Sequence, residues 1–279
     1  MTWFQETLYQ HVRQTFEIER VLYEGRSDFQ EVKVLQTVEV GRMLVLDGVV
    51  QTTERDEFVY HEMMVHVPLF AHGGAKRVLI IGGGDGGILE EVLKHPVERA
   101  VMVEIDDKVI DVSKKWLPSI CGKAFDDKRT HLIVGDGAKY VGETEERFDA
   151  VIVDSSDPIG PAEVLFASPF YTACKRCLTG DGIMVNQNGV PFFQPEETRN
   201  TYRNLKLIFP QNGFYVMPVP TYYGGFMALS WAAMRDLARQ PSGEIEQRVA
   251  RAGLPLNYYN AAIHGAAFAL PGYVRRLMA

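Results

Sequence analysis

Apolar residues change their spacing along this chain, and the change divides it in two. Over Phe16 to Tyr23 and Gln30 to Val40 they fall at every second position, the period of a half-buried strand. Gly41-Arg42 turns the chain into Met43 to Leu46, and Asp47-Gly48 is a strong hairpin signal before Val49 to Thr52. Trp3 to Arg13 reads as a strand or an irregular lead-in. These segments predict a small antiparallel sheet of four to six strands. Glu54 to Phe70 has a helical pattern and is expected to break at Pro68. From Arg77 onward, short continuous apolar runs alternate with helical patterns, as in a parallel sheet covered by helices. The expected organisation is a β-rich unit with its linking helix over 1–75, then a Rossmann-like doubly wound α/β unit over 76–279.

The second unit is organised around Val78 to Ile88. Val78 to Ile81 predict a buried strand, and Ile88 to His95 a helix that Pro96 ends. Between them stand six residues, five of them glycine and the sixth Asp85. Gly82, Gly84 and Gly87 satisfy the G-x-G-x-x-G spacing of a nucleotide-binding turn. Asp85 restricts the nucleotide. A pyrophosphate held at such a loop would meet this carboxylate at a cost of about 4 kcal/mol for charges ~4 Å apart at an effective dielectric of ~20. The loop therefore disfavours dinucleotides and ATP. It favours a sulfonium nucleoside, best of all decarboxylated S-adenosylmethionine, which lacks a carboxylate and ends in an ammonium.

Acids recur where later strands end. Arg99 to Ile105 is the second strand, and Glu104 stands where such folds bind ribose hydroxyls. Thr130 to Val134 is the third, followed by Asp136, placed to accept from an adenine amino group. Phe148 to Val153 is the fourth, running into Asp154-Ser-Ser-Asp157 and the loop through Pro161. Ligands of open α/β sheets bind beyond the carboxyl ends of the strands, so these acids should share a crevice, with the loop as its lid. Gly182 to Gln187 predicts a fifth strand. Asn212 to Gly225 and Phe226 to Trp231 predict an antiparallel edge pair, with Tyr222 and Tyr223 in the connecting loop. Ser242 to Ala252 reads as a helix, and Tyr258 to Leu270 carries no clear pattern.

Composition removes some alternatives. Net charge is −7 with no basic run, which argues against nucleic acid. No apolar run reaches ~18 residues, which excludes a membrane helix, and the N-terminus lacks the pattern of a signal peptide. A cytoplasmic location is the default. The three cysteines make no disulfide framework. Cys174 and Cys177 sit late in a helix over Pro169 to Leu178 and read as half-buried helix residues rather than a redox pair. His61 and His66 are five apart, so they do not share a helix face as a zinc pair at i, i+4 would, and no metal is expected.

Taken in series, Leu46 to Gln51, Asp56-Glu57, Tyr60-His61-Glu62, the glycine loop, Val103 to Asp106, Asp154 to Pro161 and Pro220 to Gly225 resemble the spermidine synthases, the polyamine aminopropyltransferases. The ending, Tyr258 to Pro271, is similar to that of bacterial members. The resemblance implies a small N-terminal β-domain before a methyltransferase-like Rossmann domain, and a homodimer or homotetramer joined partly through the β-domain. It implies transfer of the aminopropyl group of decarboxylated S-adenosylmethionine, as cosubstrate and without a cofactor, to putrescine. By the same resemblance Gln30, Gln51, Gly82, Gly84, Glu104, Asp136, Gly137 and Pro161 would hold the nucleoside. Tyr60, His61, Asp85, Asp157 and Tyr222 would line the polyamine side, and Asp154 would be the base. At Gln187-Asn188-Gly189 the chain departs from the Gln-x-Glu of many relatives, which leaves the anchor of the distal amine open, and the acceptor itself is not fixed.

The residues support that chemistry independently. A primary amine with a pKa of ~10 must lose a proton to attack, at about 4 kcal/mol near neutral pH. A carboxylate beside it can take that proton. The sulfonium leaves without metal assistance. An N-methyltransferase on the same fold, a binding-only polyamine sensor and a dehydrogenase are the rival readings. Asp85 weighs against the first and the last, and the strand-end Asp154 against the second.

Overall fold

The computed structural model describes residues 2–156 and 160–279, and only the backbone of 160 and 161. β1 (Thr2–Gln5), β2 (Thr15–Arg26), β3 (Glu31–Thr37), β4 (Arg42–Leu46) and β5 (Val49–Thr53) form an antiparallel meander in sequence order. The lead-in before β2 is thus a short strand followed by irregular chain. The strands expected over Phe16 to Tyr23 and Gln30 to Val40 form as β2 and β3. However, β3 and β4 are in part buried on both faces: Val34 and Leu35, and Met43, Leu44 and Val45, are consecutive and almost fully buried. One face packs on Val109, Val112, Leu117 and Ile120 of later helices, and the other on residues of β1 and β2.

α1 (Glu57–His72) follows, and here the expected break is corrected. The helix continues through Pro68 to a left-handed cap at Gly73. An internal proline costs about 3 kcal/mol, but Val59 to Ala71 are buried without interruption. The Tyr215 hydroxyl also donates to the Met63 carbonyl at 2.9 Å, in the turn where proline loosens the ladder. Packing decides this helix.

The second sheet contains β6 (Arg77–Gly82), β7 (Arg99–Glu104), β8 (Thr130–Val134), β9 (Phe148–Asp154), β10 (Leu178–Gln187), β11 (Gln211–Pro218) and β12 (Phe226–Ala233), in the order β11-β12-β10-β9-β6-β7-β8. β8, β7, β6, β9 and β10 are parallel, and β12 and β11 add antiparallel. α2 (Gly87–Lys94), α3 (Asp107–Trp116), α4 (Pro118–Cys121), α5 (Gly137–Glu143), α6 (Ser168–Cys177) and α7 (Pro195–Ile208) connect its strands. α8 (Ser242–Ala252), α9 (Ala261–Ala267) and α10 (Gly272–Leu277) complete the chain. This is the small antiparallel sheet and doubly wound sheet that the pattern predicted, and the methyltransferase-type arrangement that the resemblance implied. Two apolar cores cover the faces of the large sheet. One gathers α1, α2 and the tail residues Tyr259 and Ala267, and the other α5, α6 and α7. Cys174 and Cys177 lie wholly inside the second core rather than half-buried, and burial pushes both thiols up. A third core, Val32, Val34 and Leu44 against Val109, Val112, Leu117 and Ile120, joins the N-terminal sheet to α3 and α4.

The tail that carried no pattern is fixed by Glu62. Its carboxylate, fully buried, accepts from the backbone N–H groups of Asn257, Tyr258 and Tyr259 at 2.7, 2.9 and 2.7 Å. Glu62→Leu strands three donors without acceptors. We expect a loss of about 3–5 kcal/mol, read as a lower midpoint in urea unfolding, with Glu62→Gln in between.

Candidate active site

The turn between β6 and α2 makes the floor of the site. At Gly82, φ is 81°, and a Cβ there would lie 2.1 Å from the Asp154 carbonyl oxygen. Only glycine lets the ends of β6 and β9 meet so closely, and the Gly83 N–H then donates to that same carbonyl at 3.0 Å. A Cβ on Gly87 would lie 2.2 Å from the His61 ring, so the loop also makes room for α1. Asp85 turns back onto its own loop, accepting from the Gly87 N–H at 2.9 Å.

The carboxyl ends of the strands surround a cavity of about 680 Å³. Asp154 lines it, and the Tyr60 hydroxyl donates to its Oδ1 at 2.6 Å. His61 is clamped between two carboxylates, Nδ1 at 2.6 Å from Glu57 Oε2 and Nε2 at 3.3 Å from Asp85 Oδ2. One atom from each of His61, Asp85 and Asp154 lies within 4.8 Å of the others. His66 shares none of this. It faces Glu91 and His95 on the far side of α1.

Glu104 reaches the cavity from the end of β7 and accepts from the Asp106 N–H at 2.9 Å. Asp106 in turn holds Gln30 and Ser27 of the N-terminal sheet at 2.8 and 2.7 Å. Asp136 caps α5 through Oδ1, which accepts from the N–H groups of Ala138 and Lys139 at 2.8 and 3.1 Å. The Tyr222 hydroxyl donates to the Gln51 carbonyl. Gln30, Gln51, Gly82, Gly84, Gly137 and Tyr222 all line the cavity. Every expected site residue is thus brought to one place, save two. Asp157 and the Pro161 side chain lie outside the described residues, as does much of the expected lid.

Sequence reasoning missed one wall. The irregular chain after β1 brings Glu6, Thr7, Leu8 and Tyr9 to the cavity. Glu6 is 6% exposed, and its Oε1 accepts from the Val50 N–H at 2.9 Å. An acid in a segment without periodicity gave no signal beyond its own charge. Glu57 was likewise quoted only within a motif, yet it is the neighbour of His61 four residues back on the helix.

Electrostatics set the character of the site. No lysine or arginine lines the cavity among the described residues. Burial pushes Asp154 up to about 6, with the charge of Asp85 adding to the effect and His61 and the Tyr60 hydroxyl opposing it. Burial pushes Glu104 up to about 7; the backbone N–H groups of Asp106 and Ile105 oppose this, and the charges of Asp106 and Asp154 add to it. Burial opposes the charge on His61, but Asp85 and Glu57 outweigh it and hold the imidazole well above its ordinary value. Asp154 and Glu104 keep their protons to higher pH in the folded protein than in the unfolded chain. Their contribution to stability is whole below the ordinary carboxylate range and is lost as pH rises to about 6 and about 7.

A methyltransferase-type sheet whose strand ends bring buried acids to one cavity places the chain in the class of α/β enzymes built on that fold. Comparison with known proteins narrows this class. Residues 57–240 match the spermine/spermidine synthase domain, and residues 2–54 match the spermidine synthase tetramerisation domain. The chain is 52% identical to polyamine aminopropyltransferase 1 of Pseudomonas aeruginosa over 98% of its length and 96% of that protein's. It is 50% identical to the polyamine aminopropyltransferase of Salmonella typhi over 98% and 96% of the two chains. A crystal structure of spermidine synthase in complex with the transition state analogue AdoDATO superposes with a TM-score of 0.94 at 37% identity, covering 99% of this chain and 94% of that one. The spermidine synthase of Thermotoga maritima gives 0.91 at 36% identity, with coverage of 99% and 94%. The chain belongs to the spermidine synthase family of polyamine aminopropyltransferases, transferases of polyamine biosynthesis.

Asp154→Asn removes the burial cost of an ionised carboxylate. We expect the variant to exceed the wild type in stability by about 1–2 kcal/mol at pH 8 in denaturant unfolding. The gain should shrink as pH falls below about 6 and vanish below about pH 3, where Asp154 is protonated in both states.

Proposed function

We propose that this protein transfers the aminopropyl group of decarboxylated S-adenosylmethionine to putrescine, giving spermidine and 5′-methylthioadenosine, with Asp154 as base. The observation that carries the reading is a cavity ringed by Asp85, Asp154, Glu104 and Glu6 with no lysine or arginine among its described lining residues. Such a site rejects phosphates and carboxylates and accepts a sulfonium and ammonium groups. Glu104 accepts from the ribose hydroxyls, and Asp136 Oδ2 from the adenine amino group, its Oδ1 being held by the α5 cap. Gln30 and Gln51 close the nucleoside side, to which the resemblance also assigns Pro161.

At the reacting centre the acceptor nitrogen sits against Asp154, and Tyr60 fixes the orientation of that carboxylate. The nitrogen lone pair attacks the methylene carbon next to sulfur. The carbon–sulfur bond breaks, its electron pair stays on sulfur as a neutral thioether, and the proton lost from nitrogen passes to Asp154. Alignment of nitrogen, carbon and sulfur supplies most of the remaining acceleration. A base held near 6 is ionised at neutral pH yet more basic than an exposed aspartate. Asp85 and Tyr222 flank the near amine, with His61 ordering Asp85, and the resemblance gives Asp157 to the same side. Glu6, from the N-terminal unit, takes the far ammonium in place of the acid that Asn188-Gly189 does not supply. Trp3, Val21 and Val38 are 56, 48 and 54% exposed on that unit, which suits a homodimer or homotetramer joined through residues 2–54.

The test is a product assay with decarboxylated and intact S-adenosylmethionine in parallel, each with putrescine. Spermidine is expected from the decarboxylated donor alone, with kcat reduced on the order of 10²–10⁴-fold in Asp154→Asn. Methylputrescine from the intact donor would overturn the reading. The acid limb of kcat/KM should fall through about pH 6, because protonated Asp154 cannot take a proton. Tyr60→Phe, which removes a hydrogen bond that favours the carboxylate, should move that limb to higher pH. Glu6→Gln should raise the KM for putrescine by tenfold or more while leaving the KM of the donor unchanged.

A further inference from the structure

At the opposite end of the large sheet, His72, Asp149 and Asp181 bring one imidazole nitrogen and two carboxylate oxygens within 4.8 Å of one another. His72 is the last residue of α1, Asp149 the second of β9, and Asp181 lies in the early part of β10, where its pairing with β9 is irregular. Asp154 closes β9 five residues beyond Asp149, so the cluster is ~17 Å from the catalytic crevice at about 3.3 Å per residue.

The His72 side chain is only 7% exposed, and neither ring nitrogen has a hydrogen-bond partner. Nε2 faces Asp181 Oδ2 at 3.5 Å without hydrogen-bond geometry. A buried imidazole normally makes hydrogen bonds through its nitrogens, so Nε2, facing Asp181 without bonding to it, leaves a position between the two side chains for an ion. The carboxylates are oriented for the same space. Asp149 Oδ2 accepts from the N–H groups of Lys76 and Arg77 at 2.7 and 2.9 Å. The Thr179 hydroxyl lies 3.2 Å from Asp149 Oδ1 and 3.3 Å from Asp181 Oδ1. Supporting bonds of this kind hold ligands in place before a metal arrives. No lysine or arginine pairs with either carboxylate among the described residues. The Lys76 ammonium turns to Glu98 and the Pro96 carbonyl, and the Arg77 guanidinium to Glu146.

We propose that His72, Asp149 and Asp181 form a site for a borderline divalent cation of the zinc class, with water completing the shell. One imidazole and two carboxylates suit Zn²⁺ or Co²⁺ and select against Mg²⁺ and Ca²⁺, which prefer all-oxygen shells. Such an ion ties the end of α1 to the first residues of β9 and β10. Its effect is on the stability of that corner rather than on turnover.

The experiment titrates Zn²⁺ into the intact protein, purified with chelator, by calorimetry and by thermal unfolding. A crystal soaked in Zn²⁺ is measured at the zinc edge. Expected are one ion per chain, a rise in Tm with Zn²⁺ but not with Mg²⁺, and an anomalous peak between the three side chains. Asp181 is 64% exposed, so Asp181→Asn should fold normally, keep wild-type turnover and bind Zn²⁺ at least tenfold more weakly. His72→Gln should do the same if it folds. Absence of Zn²⁺ binding, affinity unchanged in Asp181→Asn, or a peak confined to His61, Asp85 and Asp154 would each overturn the proposal.

Discussion

A concentration of buried acid with no lysine or arginine among the described lining residues is the constraint on which this structure depends. Asp85, Asp154 and Glu104 are nine-tenths buried or partly buried around one cavity, and His61 is the single imidazole set among them. Burial raises Asp154 and Glu104 and so weakens the fold in the neutral range, and the protein tolerates this because the rest of the sheet is densely apolar. A positive charge in the cavity relieves that cost and a negative one adds to it.

The two units meet at this cavity. α1 passes from the small sheet onto the large one, presenting Tyr60 to Asp154 and His61 to Asp85. The N-terminal chain adds Glu6 to the same cavity, and Gln30 is held by Asp106 of the second unit. Asp56, just before α1, accepts from the backbone and hydroxyl of Thr221, 165 residues away, at 2.8 and 2.7 Å. The loop with Tyr222 is thereby fixed against the start of the helix. Neither sheet alone contains a complete site.

Most of the fold and much of the candidate site were legible in the sequence. Period-two and continuous apolar runs encode how many faces of a strand are buried, so they announced both sheets. The glycine loop followed from positive φ and close approach, which only glycine allows. Glu104, Asp136 and Asp154 could be found because parallel topology sends the carboxyl ends of successive strands to one edge. Pro68 misled because a local propensity of about 3 kcal/mol was set against burial along the whole helix. Cys174 and Cys177 were placed on the right helix but given too much solvent, since periodicity does not say how thick the layer above a helix is.

What the sequence determined by itself were the elements, their order and the acids that local geometry carries to the strand ends. Tertiary structure alone decided which distant groups became partners. Tyr60 meets Asp154 across 94 residues, Glu62 captures the backbone of the tail about 195 residues on, and His72 faces Asp149 and Asp181. The reason is physical. Propensity and periodicity report energies shared between near neighbours in the chain. A hydrogen bond between remote segments is selected only after packing has brought both into the same small, water-poor volume, where leaving either group unsatisfied is costly.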